Sequence, residues 1–163
     1  MKRKSKLQYT IRTCDPSEGS ISSEELNQMV DILNENIIEQ HKWKQLDGDC
    51  SSTYLASKDT ITVNKFIKYA KDRNNKILGF VLYDIQKDFN KTIVYICKLN
   101  IDKQYRCNGI GSELIRELFI EYDGAQFEAC CVYERNIIGQ KFWNSLGFCT
   151  KLYTTLLTSY PEG

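Results

Sequence analysis

The stretch RCNGIGSELI, residues 106–115, sets Gly109 and Gly111 one residue apart, between a run that alternates like a strand and a run with helical periodicity. Backbone N–H groups at a helix N-terminus have no partner inside the helix, and the helix dipole favours an anion there. Glycine removes the Cβ atoms that would hold the anion away. Arg106 and Ser112 can add donors. The chemistry this spacing suggests is phosphate or pyrophosphate binding, with a plain tight turn as the competing reading. No Gly-Lys-Ser/Thr follows, so the lysine and magnesium ligands of nucleotide hydrolysis are missing. A dinucleotide fingerprint belongs after the first strand of a parallel unit, whereas this loop comes after an antiparallel meander.

The elements that must position the loop follow from periodicity. Leu7, Tyr9, Ile11 and Thr13 alternate with polar neighbours and suggest a first strand over 7–14. Ser22 or Ser23 offers an N-cap. Leu26, Met29, Val30, Leu33 and Ile37 then recur at helical spacing, which predicts an amphipathic helix to about residue 40, with His41 solvated at its end. Gly48 breaks that helix, and a short second one is expected around 50–58. From residue 65 the period becomes two: KFIKYAKD, ILGFVLYDI and TIVYICKLNI read as three strands joined by turns at RNNK and QKDFNK. The glycine loop leads into a helix over about 109–122. A fifth strand QFEACCVY, a helix IIGQKFWNSL stopped by Gly147, and a closing strand within FCTKLYTTLLTSY complete the chain.

Length and composition support one domain over 1–163: 42% hydrophobic residues in 163 suffice for a single core. Lys plus Arg number 22 against 21 for Asp plus Glu, so no global field points to nucleic acid. No apolar run reaches membrane-spanning length, and MKRKSK is not followed by a signal-like apolar segment. The expectation is a soluble, cytoplasmic protein without a membrane partner, monomeric or homodimeric. Seven cysteines with no CxxC spacing read as mostly buried thiols of a reducing compartment. No metal site is expected, since His41 is the only histidine and Cys130 and Cys131 would face opposite ways on a strand.

Taken together, LNIDKQYRCNGIGSELI, ILGFVLY and ERNIIGQKFWNSLGF resemble, in order and spacing, the strand, loop and last-helix motifs of the GNAT superfamily of acyl-CoA-dependent N-acetyltransferases. The resemblance implies an α/β (α+β) fold: a mixed, mostly antiparallel sheet of about six or seven strands, helices on both faces, and a splayed parallel strand pair at an acetyl-CoA site. It implies that the pyrophosphate meets the backbone of Cys107, Asn108, Gly109, Ile110, Gly111 and Ser112, with Arg106 beside it. Leu99, Asn100 and Ile101 would offer main-chain groups to the pantetheine, and one N–H there would polarise the thioester carbonyl. Asn136 matches a cofactor-contacting Asn and could equally cap a helix. Trp143 stands where many members carry a Tyr that protonates the leaving thiolate, and Gly139 where Ala is usual.

Tyr95, eleven residues before Arg106, matches a position where some relatives place a catalytic Glu or Tyr. By alternation it would share a face with Ile93, Cys97 and Leu99, where a core aromatic is the other reading. Cys131 reads as packing. The resulting expectation is an enzyme that moves an acetyl group from acetyl-CoA to a primary amine in a ternary complex, Tyr95 or a water near Glu128 or Glu134 serving as base. A peptide or protein N-terminus or a small-molecule amine is the expected acceptor. The alternative is a non-catalytic acyl-CoA-binding sensor or interaction module of the same fold.

Overall fold

A computed structural model describes residues 6–15, 19–64, 66–129, 132, 135–150 and 157–159. Strand β1 (Tyr9–Cys14) is followed by helices α1 (Ser23–Leu46) and α2 (Lys58–Thr62). A meander follows of β2 (Phe66–Asp72), β3 (Ile77–Asp88) and β4 (Lys91–Ile101). Then come α3 (Ile110–Glu121), β5 (Gln126–Ala129), α4 (Ile137–Ser145), β6 (Cys149–Thr150) and β7 (Leu157–Ser159). The seven strands form one sheet in the order β1-β2-β3-β4-β5-β7-β6. Only β4 and β5 pair in parallel.

Alternation along the strands builds a core on each face. On one face Val81, Tyr83, Val94, Ile96 and Phe127 meet Leu114, Leu118 and Trp143 of α3 and α4. On the other, Ile67, Tyr69, Phe80 and Leu82 meet Met29, Ile32 and Leu33 of α1 and Ile61 of α2. Each fully buried Leu or Ile among them contributes about 1.5–3 kcal/mol. Lys68 on β2 lies within the α3 face, 4% exposed, where its ammonium meets Glu121 at 3.0 Å and Glu117 at 3.8 Å and donates to the Thr13 hydroxyl at 2.6 Å. A buried ammonium left unpaired would be strongly destabilising, so these partners fix how α3 lies on β2.

Four expectations need correction. Helix α1 does not end near residue 40, and His41 lies within it. Its Ser22 N-cap forms a capping box with Glu25, and it runs to Leu46 before Gly48 (φ +85°) turns the chain. The apolar spacing fades earlier because the last turns project past the core; Leu46 is 70% exposed. The second helix begins at Lys58, not near residue 50, because the Asn34 side chain pairs with the Ala56 backbone in both directions and holds the preceding segment extended. The closing strand is two short strands, β6 and β7, paired antiparallel, with β7 beside β5. Of the five cysteines described, only Cys14 is buried; Cys50, Cys107 and Cys149 are exposed on loops or the sheet edge. No helix among the described residues is long and apolar enough to cross a membrane.

Candidate functional site

The site is assembled at the C-terminal end of β4. Pairing with β3 shifts between Leu82↔Lys98 and Tyr83↔Ile96, which leaves Cys97 as the extra residue of a bulge. The bulge reverses the facing of the strand beyond it. Leu99 and Ile101 therefore pack with Val94 and Ile96 on the α3 face, while Cys97 and the Asn100 side chain lie on the α1 face. Tyr95 is on the α1 face as well, so it does not share a face with Leu99 as simple alternation implies. Across the sheet Tyr95 is flanked by Asp84 on β3 and Glu128 on β5.

The parallel ladder with β5 runs from Ile93↔Gln126 to Ile96↔Ala129. Beyond it, Cys97 to Ile101 have no register partner on that side among the described residues. The Asp102 N–H donates to the Leu78 carbonyl at 2.8 Å, so by antiparallel alternation the Asn100 backbone points towards β3, and those of Leu99 and Ile101 point to the open side. Of the three expected main-chain partners, Leu99 and Ile101 are presented and Asn100 is turned away. Its side chain, 9% exposed, instead accepts from Asn36 Nδ2 at 2.7 Å.

A 3₁₀ turn over Lys103–Tyr105 carries the chain into the glycine loop. Cys107 has φ +65°, and Gly109, the N-cap of α3, has φ +80°. The Asn108 side chain donates to the carbonyls of Tyr105 (3.0 Å) and Arg106 (3.2 Å) and folds the loop on itself. No side chain caps α3, whose first turn carries the N–H groups of Ile110, Gly111 and half-buried Ser112, donors that find no partner inside a helix. Glu113 in the same turn accepts from the Tyr9 hydroxyl, which draws that carboxylate towards β1. Burial and this carboxylate push the Tyr9 phenol up to about 12.

The two glycines have different jobs. A Cβ on Gly109 would meet nothing within 4 Å, and its role is the left-handed backbone. A Cβ on Gly111 would lie 3.3 Å from the Phe142 ring, so Gly111 serves helix packing rather than ligand access. The Arg106 guanidinium donates to the Ile101 carbonyl (3.4 Å), to Glu39 (3.3 Å) and to the Asn36 side-chain oxygen.

Asn136 caps α4, its side chain accepting from the Gly139 N–H at 2.8 Å. An Ala at position 139 would press on that side chain, since its Cβ would overlap the amide nitrogen. Trp143 is 8% exposed and is packed edge-to-face by Phe142 and Phe148. Cys131 and Glu134 lie outside the described residues. Among the described residues no group of three or more His, Cys, Asp and Glu could hold a metal ion. Sequence reasoning misses Asn36 and Glu39. The signal is present: Asn36 continues the Met29–Leu33 stripe of α1, a polar residue at an apolar-face position.

The uncapped terminus of α3 thus follows directly on the outward-facing edge of β4. Comparison with known proteins places the whole fold. The acetyltransferase (GNAT) family model matches residues 28–148. Among solved structures, an acetyltransferase of the GNAT family from Staphylococcus aureus Mu50 superposes with a TM-score of 0.63 at 14% identity, over 93% of this chain and 99% of that one. An aminoglycoside acetyltransferase from an uncultured soil metagenomic sample gives 0.54 at 15% identity, over 84% and 86%. A GCN5-related glucosamine N-acetyltransferase region of a fungal multi-domain β-N-acetylglucosaminidase gives 0.61 at 17% identity; it covers 90% of this chain, which spans only 17% of that one. No curated protein matches at the sequence level.

Proposed function

Because the chain belongs to the acetyltransferase (GNAT) family, we propose that it is an acetyl-CoA-dependent N-acetyltransferase acting on a primary amine by direct attack in a ternary complex. The observation that carries this is the uncapped N-terminus of α3 next to the outward backbone of Leu99 and Ile101. Ile110, Gly111 and Ser112 would hold the diphosphate through their N–H groups, and the β4 edge the pantetheine amides. An N–H of that edge would polarise the thioester carbonyl. Acetyl-CoA supplies the thioester carbon that the amine attacks, the C–N bond forming as C–S breaks.

The amine must be neutral to attack. A lysine side chain is neutral roughly once in two to three thousand at neutral pH, whereas an α-amine is neutral about one time in ten. Tyr95, with Glu128 beside it across the ladder, takes or relays the amine proton. Less basic acceptors, a peptide N-terminus or a small-molecule amine, are therefore favoured over lysine. The thiolate is protonated from solvent, since the Trp143 indole is no acid and lies in the core. That same observation favours a second reading, a CoA-binding module without turnover. Thiol release from acetyl-CoA across a panel of amines and peptides separates the two. Release with at least one acceptor supports the enzyme; CoA binding without release with any acceptor supports the module.

Cys107 should report on the cofactor. It is exposed within the loop that leads into α3. Mass-spectrometric mapping should find Cys107, Cys50 and Cys149 alkylated ahead of buried Cys14, and CoA should slow Cys107 alone. Equal labelling of Cys107 with and without CoA would count against this placement.

A further inference from the structure

Helix α1 is tied to the glycine loop by a half-buried polar cluster. The Arg106 guanidinium donates to Asn36 and meets Glu39 at 3.3 Å, and Asn36 in turn donates to buried Asn100 at 2.7 Å. Arg106 directly precedes the loop's conformationally costly segment, in which Cys107, an L-residue, holds φ +65°. Further along α1, Asp47 at its C-terminus meets Arg135 at 2.6 Å, immediately before Asn136 and α4. The second half of α1 therefore runs from the β4–α3 loop to the β5–α4 connection, on the face that carries Tyr95. One end is held by a half-buried cluster and the other by an exposed ion pair, which is worth little.

Resting on the acetyltransferase reading above, we propose that Arg106 is a positioning residue that couples cofactor binding to α1. A diphosphate on the α3 terminus requires the loop conformation that Arg106 secures, so the bound state favours the tethered form. The tethered form in turn holds Asn36–Leu46 over the Tyr95 face. Coupling is reciprocal, so loosening α1 weakens cofactor binding.

Calorimetric titration with CoA and hydrogen exchange on the full chain test this. Asn36→Ala should raise the CoA dissociation constant roughly tenfold, and Arg106→Gln similarly. The double variant should be no worse than the weaker single, because both break one tether. Glu39→Gln, which keeps the shape of a half-exposed side chain, should act in the same direction by a few-fold and serves if Asn36→Ala does not fold. In the unaltered protein CoA should slow exchange of amides 36–46, and in the variants that protection should shrink. A merely structural role for Asn36 would not produce CoA-dependent protection of α1. Unaltered CoA affinity in Asn36→Ala or Glu39→Gln, or additive losses in the double variant, would overturn the coupling alone. No CoA binding by the unaltered protein would overturn the acetyltransferase reading, and the coupling with it.

Discussion

Replacing Gly109 by Asp will raise the CoA dissociation constant by at least about a hundredfold, while Gly109→Asn changes it by only a few-fold. Both side chains tolerate the left-handed backbone that Gly109 adopts, at about 1 kcal/mol, and neither meets protein, since a Cβ there has nothing within 4 Å. They differ by one charge at the mouth of an anion-binding helix terminus. A carboxylate about 4 Å from a phosphate oxygen is opposed by about 4 kcal/mol at an effective dielectric of about 20, and by less once salt and solvent screen it. In the unaltered protein, CoA at about a hundred times its dissociation constant adds about 2.7 kcal/mol, a melting shift of about 5–10 °C. The Asp variant should lose that shift and the Asn variant keep most of it. Equal shifts in all three proteins would reduce the loop to a turn.

Tyr95→Phe should lower turnover by roughly 10²–10⁴ while leaving CoA affinity unchanged. The phenyl ring keeps its place between Asp84 and Glu128, so only the hydroxyl is removed. Without it, the rate should follow the neutral fraction of the amine, rising roughly tenfold per pH unit below the amine's own pKa, whereas the unaltered enzyme flattens earlier. Steady-state rates across neutral to alkaline pH, with CoA affinity measured alongside, decide the matter. Wild-type turnover in Tyr95→Phe would leave Tyr95 as a packing aromatic and assign the reaction to desolvation of the amine and the backbone contact alone.

Elements with strong periodicity are legible in the amino-acid sequence. The β2–β4 meander, the glycine loop and α3 fall where alternation and helical spacing place them, because each buries one face. The facing of Leu99 relative to Tyr95 is not legible. A bulge at Cys97 carries no glycine or other residue-type mark, and one extra residue inverts every alternation argument beyond it. Arg106 hides its partners for a different reason. Its loop position fits a phosphate donor, but its acceptors on α1 are about seventy residues away in sequence. Long-range polar pairing leaves no local pattern to read.

Buried and exposed apolar residues of this chain tolerate substitution very differently. The loop terminus and the packing of α3 and α4 sit on one face, where change in volume is punished. On the opposite side Ile38 and Leu46 of α1, with Tyr54 and Leu55 after it, are presented to solvent, positions at which substitution is nearly free of stability effects. Substitution at those four positions can therefore remodel the exposed surface while the packing of α3 and α4 stays intact.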